Sequence, residues 1–281
     1  MAVTDPGVRL DRDGPVATVT LCRPHVLNAQ TPAMWAALRG YGRDLPGDVR
    51  VVVVRGEGRA FSAGLDLSAL SASSGQDDTA PGHAAPDDGA RSAPAAETAE
   101  TFSFADLAGS DDGVAERVIA GFQEAFSWLR RPDLITIAAV QGHAIGAGFQ
   151  LALACDFRVA TEDAAFTMAE VKLGLVPVRS GTKRLTELVG YARALEICVT
   201  GRRVPAAEAE RIGLANLVVP RADLDGAVAD LTAAVLAAPR DAVVEIKALI
   251  AGAAGRDFAA QEAAERAAQV RRLRDLAGVG E

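Results

Sequence analysis

The sequence predicts an α/β fold, because runs typical of buried strands alternate along the chain with segments of helical periodicity. Residues 51–55 and 134–140 are rich in β-branched apolar side chains and have the length of strands. Residues 32–45 and 114–129 instead repeat apolar side chains every three or four positions. Strands that alternate with helices in this way are the pattern of α/β domains.

The N-terminal elements follow from short-range patterns. Residues 8–22 alternate apolar and polar side chains around a turn of sequence DGP, which indicates a β-hairpin. Thr31 is placed to cap the helix of residues 32–45, which opens with a proline. With the strand at residues 51–55, this part of the chain already has a β-α-β order.

The chain is organised around residues 134–156, whose sequence is LITIAAVQGHAIGAGFQLALACD. An apolar strand is followed by Gly142, Gly146 and Gly148, and then by an apolar run long enough for a buried helix. Glycines at this junction let the backbone turn sharply and let a ligand approach without a Cβ in the way. The first turn of the helix also has amides without internal partners, so the site can hold the negative charge of a phosphate or of an enolate oxygen. The alternative is a glycine-rich turn that only packs a helix against a strand.

Two familiar phosphate-binding motifs do not fit this stretch. A P-loop requires G-x-x-x-x-G-K-[ST], but Gly148 is followed by Phe149 and Gln150, with no lysine nearby. A dinucleotide fingerprint requires G-x-G-x-x-G, whereas the sequence here is GAGFQL.

The second half of the chain continues the alternation. Residues 157–160 and 165–167 are typical of short strands, and residues 182–189 and 192–200 of helices. From residue 221 onwards the sequence is strongly helical and rich in alanine, which adds a helical C-terminal region to the α/β core.

Residues 71–113 interrupt this pattern. The segment is rich in Ala, Ser, Gly, Pro and Asp and has few large apolar side chains, so it cannot bury enough surface to offset its ordering entropy. Loops of this length in compact domains are usually disordered inserts or lids. We expect a mobile insert, and a functional lid is the alternative.

Composition limits the classes of function. The chain has 281 residues, of which 49% are hydrophobic, and this is ample for a sizeable core. The net charge of −8 argues against nucleic acid as a partner. The three cysteines lie far apart without a C-x-x-C motif, so neither a metal site nor a disulfide framework is predicted. The N-terminus is polar and no apolar run has the length of a membrane span, so we expect a cytoplasmic protein without a membrane partner.

Four further blocks accompany the glycine-rich stretch in a fixed order. They are RPHVLNAQ (23–30), RAFSAGLDL (59–67), FTMAEVKLGLVPVRSGTKRL (166–185) and GRRVPAAEAERIGLANLVVP (201–220). Together the five blocks resemble the enoyl-CoA hydratase/isomerase family, the crotonase superfamily. The resemblance implies a crotonase-like spiral of repeated β-β-α units in residues 1–200 and a helical region for oligomer contacts in residues 201–281. It also implies a closed ring of subunits, so we expect a homotrimer or a dimer of trimers.

The resemblance further implies that the ligand is an acyl-CoA thioester whose carbonyl is polarised by two backbone amides. Those amides belong to Leu65 and Ala147, and Gly64 and Gly146 let the chain come close. The coenzyme arrives with the substrate, so no separate cofactor is expected.

The CoA moiety is expected to lie along the second block and beside basic side chains. The residues implied are Ala60, Ser62, Ala63, Gly64 and Asp66 for the adenine, and His25, Arg59 and Lys247 for the phosphates. An ordinary solvated charge is the alternative for each of these basic residues.

The acid/base residues depart from the pattern of the hydratases. Those relatives carry two glutamates, and the matching positions here are Gln150 and Glu170. An amide cannot transfer a proton near neutral pH, so one carboxylate remains. A single base suffices for isomerase-like double-bond chemistry, and Glu170 beside Met168, Val171 and Leu173 is expected to be buried with a raised pKa. Val178 is a second departure, because many relatives have glycine there.

Several functions remain open at this stage. Isomerase-like chemistry is favoured slightly over hydration, with thioester hydrolysis or decarboxylation behind them. A non-catalytic acyl-CoA-binding protein on the same fold would also lack one glutamate, since fold alone does not fix function. A Ser-His-Asp hydrolase is the weakest reading, because the three histidines (His25, His83 and His143) have no G-x-S-x-G partner.

Overall fold

A computed structural model describes residues 5–68 and 104–278, and it contains a six-stranded sheet and a three-stranded sheet. The larger sheet has the order β1-β2-β3-β4-β6-β9, and its strands are parallel apart from the β1–β2 hairpin. Its strands are β1 (Val8–Asp13), β2 (Val16–Leu21), β3 (Val51–Gly56), β4 (Ile135–Val140), β6 (Phe157–Thr161) and β9 (Leu217–Val219). The smaller sheet joins β5 (His143–Ile145), β7 (Ala165–Thr167) and β8 (Arg203–Pro205).

The central strands are apolar on both faces because both faces are covered. Val52 and Val54 of β3 point into the main core, whereas Val51 and Val53 point to a second cluster on the opposite face. This explains the uninterrupted valine run, since a parallel strand between two helical layers has no solvent face.

Helices pack on both faces of the larger sheet, and Leu224 and Val228 of one of them belong to the second cluster. The helices of the described residues are α1 (Pro32–Asp44), α2 (Phe104–Gly109), α3 (Asp112–Ser127), α4 (Ala147–Ala154), α5 (Gly181–Val189), α6 (Tyr191–Thr200), α7 (Ala206–Arg211), α8 (Leu224–Ala237), α9 (Arg240–Ala253) and α10 (Phe258–Leu276). The predicted cap of α1 is confirmed, because the hydroxyl of Thr31 accepts a hydrogen bond from the amide of Met34 at 3.2 Å. Helix α4 is buried along its whole length, as its apolar sequence predicts.

The predicted insert is shorter at its C-terminal end than the composition suggested. It was expected to reach residue 113, but residues 104–109 form α2 and Asp111 caps α3, with its carboxylate accepting from the amide of Gly113 at 2.9 Å. A local capping signal and the neighbouring apolar residues outweigh a polar average here. The rest of the predicted insert, and with it the expectation of mobility, lies outside the described residues.

The loops that follow β3 and β4 meet at one edge of the sheet, where the strands end. Ser62 pairs with Ala144, and Leu65 pairs with Gln30, as isolated bridges. The block of residues 59–67 is therefore held between the first block and the glycine-rich stretch. Among the helices in the described ranges, none is long and apolar enough to cross a membrane.

Candidate active site

The loop that contains Leu65 is fixed by hydrogen bonds to the first sequence block. The side-chain amide of Asn28 donates to the carbonyl oxygens of Glu57 and Ala60, both at 2.9 Å. The guanidinium of Arg23 donates to the carboxylate of Asp66 at 2.8 Å. The hydrogen bond from Ser68, followed by that from Arg23, lowers the pKa of Asp66 and keeps it ionised.

Two backbone amides meet beside Gly64. The residue has φ +88°, and a Cβ there would lie 2.4 Å from the carbonyl oxygen of Ile145 and 3.4 Å from the amide nitrogen of Ala147. Only glycine allows this approach. Within residues 5–68 and 104–278, neither the amide of Leu65 nor that of Ala147 donates a hydrogen bond. Two adjacent unpaired amides, one at the start of α4, are suited to bind an oxyanion.

The carboxylate of Glu170 lies beside Gly146. A Cβ on Gly146, which directly precedes Ala147, would be 3.1 Å from its Oε1. Oε1 accepts a hydrogen bond from Nε2 of Gln150 at 2.6 Å, and Oε2 is buried without a partner in the part of the chain that the structure describes. Burial raises the pKa of Glu170, while its hydrogen bonds and the charge of Arg179 act in the opposite direction. The geometry therefore leaves one carboxylate oxygen available for a proton.

The orientation of Gln150 is determined by its neighbours. Its Oε1 accepts from the backbone amide of Arg179 at 2.8 Å, and this amide can only donate. The other end of the carboxamide must then be the NH₂ group, which points at Glu170. Gln150 is fully buried and holds Glu170 directly, without an intervening water.

Arg179 is a buried residue of the site that the sequence did not reveal. Its guanidinium carbon lies 3.8 Å from the ring centroid of Trp35, and burial lowers its pKa to about 10 against the opposite influence of the Glu170 charge. The sequence signal was an arginine directly after Val178, within an otherwise apolar stretch, but a side chain's burial cannot be inferred from such a position.

The surroundings of Glu170 differ from those predicted. Met168 is buried, but Val171 and Leu173 are 42% and 47% exposed. The 3-10 turn that begins at Glu170 directs these two side chains outwards, so the expectation that they bury the carboxylate was wrong. Its burial comes instead from the side where Gln150 and Gly146 lie.

The residues predicted for the CoA moiety lie partly together. His25 and Arg59 are both exposed, and a Cβ on Gly58 would be 3.0 Å from Pro24, so their loops are in contact. Ser62 is buried and its hydroxyl donates to the carbonyl of Asn28 at 2.8 Å. Ala60 is also buried, and the amide of Ala63 donates to the carbonyl of Leu27 at 2.8 Å.

Lys247 lies apart from the other predicted CoA residues. Its ammonium group donates to the carboxylate of Asp156 and to the carbonyl of Leu134, both at 2.7 Å, and the side chain is only 9% exposed. These contacts connect α9 to Leu134, just before β4, and to Asp156, just after α4. A role of Lys247 at a CoA phosphate stays a prediction, and it requires the ion pair between Lys247 and Asp156 to break.

Comparisons with known proteins assign the chain to a family. The sequence profile of the enoyl-CoA hydratase/isomerase family matches residues 104–275. A probable enoyl-CoA hydratase of Mycobacterium tuberculosis is 31% identical over 219 residues, which is 77% of this chain and 70% of the relative. The carnitinyl-CoA dehydratase of Salmonella agona is 36% identical over 222 residues, 77% and 69% of the respective chains. The chain belongs to the enoyl-CoA hydratase/isomerase family.

Solved structures agree with this assignment. A Thermobifida fusca protein described as an enoyl-CoA hydratase, solved in complex with CoA, is 44% identical with a TM-score of 0.82, covering 97% of this chain and 95% of that chain. The same source gave a structure in complex with acetoacetyl-CoA, at 45% identity and a TM-score of 0.83, covering 96% of both chains. The fold is thus the crotonase fold that the sequence blocks predicted.

Proposed function

We propose that this protein acts on an acyl-CoA thioester and moves a proton between C2 and C4 of the acyl chain, as a double-bond isomerase with a single base. One observation carries the proposal. Glu170, beside the glycine that precedes Ala147, has one oxygen bound by Gln150 and the other buried without a partner among the described residues.

The geometry supports a simple sequence of steps. The thioester oxygen accepts hydrogen bonds from the amides of Leu65 and Ala147, which stabilise the enolate as it forms. Oε2 of Glu170 removes a proton from C2 of a 3-enoyl chain, and the electrons of the C2–H bond form the C1–C2 double bond of a dienolate. The same carboxylic acid then delivers its proton to C4, where the electrons of the C3–C4 double bond form the new C–H bond. The C1–C2 electrons move to C2–C3 and the thioester carbonyl re-forms, giving the 2-enoyl product. Gln150 holds the carboxylate in place throughout and transfers no proton.

CoA binding is supported by the relatives and by the surface beside the site. The Thermobifida fusca protein was solved with CoA and with acetoacetyl-CoA. In this chain, the exposed His25 and Arg59 flank the loop that carries Leu65, and the guanidinium of Arg59 provides positive charge for phosphates. The backbone of residues 60–66 lies alongside as the surface for the adenine.

Hydration of a 2-enoyl-CoA is the second candidate. The names of the relatives favour it, since they include hydratases and a dehydratase. In that case Gln150 would only hold the attacking water, and Glu170 would perform every proton transfer. The direct hydrogen bond of 2.6 Å between the two side chains favours isomerisation, because a water placed between them requires that bond to break.

The two candidates separate in a paired assay of the unmodified protein. We expect conversion of cis-3-enoyl-CoA into trans-2-enoyl-CoA, followed by absorbance of the conjugated product, and little 3-hydroxyacyl-CoA from trans-2-enoyl-CoA. Glu170→Gln should lower turnover by roughly two to four orders of magnitude, the usual worth of an acid/base group. Efficient hydration with Gln150 in place would reverse the ranking. Failure of both reactions, together with a thermal shift on CoA binding, would indicate a non-catalytic binding protein.

A further inference from the structure

Arg179 is a buried cation without a counterion in hydrogen-bond contact. Only 7% of the residue is exposed. Within the described residues its guanidinium makes no hydrogen bond and no ion pair, and Nε is buried without a partner. The charge of Glu170 raises the pKa of Arg179, but Oε1 of Glu170 accepts its hydrogen bond from Gln150 and not from Arg179. Contact with the ring of Trp35 offsets part of the cost of burying the charge and leaves the donors unused.

A cavity adjoins this guanidinium, and basic residues line it beside the apolar Phe126, Leu153 and Ala154. Arg130, Arg179 and Arg184 line it together with two serines, and no carboxylate is among the lining residues that the structure describes. Arg184 also has a buried Nε without a partner, and its own carboxylate neighbour, Glu187, is 3.6 Å away. The volume is about 10 Å³, room for about one water-sized group, so a bound carboxylate must move the lining side chains apart. Unused guanidinium donors around a small cavity favour a compact anion.

The cavity begins at the reacting centre. Gln150 lines it and binds Glu170, while Ala154 lines it one helical turn further along α4. One turn advances about 5.4 Å, the length of roughly four bonds of an extended chain. An acyl chain that passes Gln150 therefore reaches the three arginines with a group a few carbons beyond the reacting double bond.

We propose that this arginine-lined cavity binds a carboxylate at the far end of the acyl chain, so that the preferred substrates are acyl-CoA thioesters of dicarboxylic acids. Arg179 is the specificity-determining residue, because a planar guanidinium matches a carboxylate with two parallel hydrogen bonds. This inference rests on the proposed acyl-CoA function, and adds to it the chemical class of the acyl group.

The test compares two saturated six-carbon thioesters that the enzyme cannot turn over, one ending in a methyl group and the other in a carboxylate. Calorimetric titration of the full chain should show that the carboxylate-ended thioester binds roughly tenfold or more tightly, the effect of a hydrogen bond to a charged group. Arg179→Met, which keeps the apolar stem against Trp35, should bring the affinity ratio to about one. Arg193→Met, an exposed arginine on α6, is the matched control and should keep the ratio of the unmodified protein.

Each outcome decides the proposal. Equal binding of both thioesters by the unmodified protein overturns the proposal, whatever the variants show. If Arg179→Met does not fold, Arg184→Met is the second variant and should weaken the preference for the carboxylate-ended thioester. Equally tight binding of the free six-carbon dicarboxylate would identify a general anion site and also overturn it. A clear preference without any isomerisation of 3-enoyl-CoA supports the carboxylate site and removes the proposed reaction, whereas isomerisation without a preference does the reverse.

Discussion

At the residue scale, the hydrogen bond from Gln150 orients the carboxylate of Glu170, the proposed base. Two glutamates at these positions would repel each other, whereas a carboxamide donates to a carboxylate and orders it. The amide of Arg179 fixes the carboxamide from the opposite side, so the base is held by a chain of two hydrogen bonds. Burial of its second oxygen gives that base a raised pKa and makes it a stronger proton acceptor than an exposed glutamate.

Glu170→Gln is expected to stabilise the protein at neutral pH. The folded-state pKa of Glu170 is raised above its unfolded value of about 4.3, so its contribution to stability is full below that value and is lost as pH rises through the folded pKa. The amide has no such loss. Calorimetric melting should therefore show a higher Tm than the unmodified protein at pH 7, with a difference that shrinks towards pH 4. A difference independent of pH would contradict this assignment of the raised pKa.

Gln150→Glu tests whether the scaffold is a hydratase that lacks one carboxylate. The change is nearly isosteric, but it places a second carboxylate 2.6 Å from Oε1 of Glu170, and like charges raise the pKa of the pair. We expect isomerisation to stay similar or to fall, with little hydration gained, because Val178 and the pocket shape are unchanged. Product analysis by chromatography checks this, with the exposed Gln269→Glu on α10 as control. Substantial hydration by the variant alone would favour the hydratase origin.

At the scale of elements, the parts that local patterns specify were predictable. The β1–β2 hairpin, the cap of α1 and the strand before the glycine-rich stretch all formed where their sequences indicated. The two amides proposed to bind the thioester oxygen were predicted through the resemblance, and the glycines beside them are visible in the sequence. The placement of Arg179 depends on how α1 and α3 pack around it, and the ion pair of Lys247 depends on contacts with residues 91 positions away. Such long-range contacts have no local signature.

Gly64→Ala tests whether the two amides beside Gly64 contribute to turnover in addition to the stability of the loop. The added Cβ would lie 2.4 Å from the carbonyl oxygen of Ile145, which is a steric clash, so the loop must move and the two amides must separate. We expect turnover to fall by roughly 10²-fold or more, the worth of an oxyanion-hole donor, together with a lower Tm. Gly190→Ala is the matched control, because Gly190 also has positive φ but has open space around it. Equal activity losses in both variants would mean that the effect is backbone strain alone.

At the scale of the whole molecule, the C-terminal helices leave an apolar surface uncovered. No residue of α9 is buried, although the helix is amphipathic. Six large apolar side chains on α9 and α10 are exposed: Ile246, Ile250, Phe258, Val270, Leu273 and Leu276. Patches of this kind on a folded chain are typical of subunit interfaces.

We therefore predict that the protein assembles into a homotrimer or a dimer of trimers through this surface. Ile250 and Phe258 are 71% and 90% exposed, so a charge there should disturb an interface without disturbing the core of the subunit. Light scattering coupled to size-exclusion chromatography should give the mass of three or six chains for the unmodified protein and smaller species for Ile250→Asp combined with Phe258→Asp. Ala207→Asp adds one negative charge to an exposed position on α7 and should leave the mass unchanged. A stable monomer of the unmodified protein at micromolar concentration would show that these helices are not an interface, since closed rings of this size persist at such concentrations.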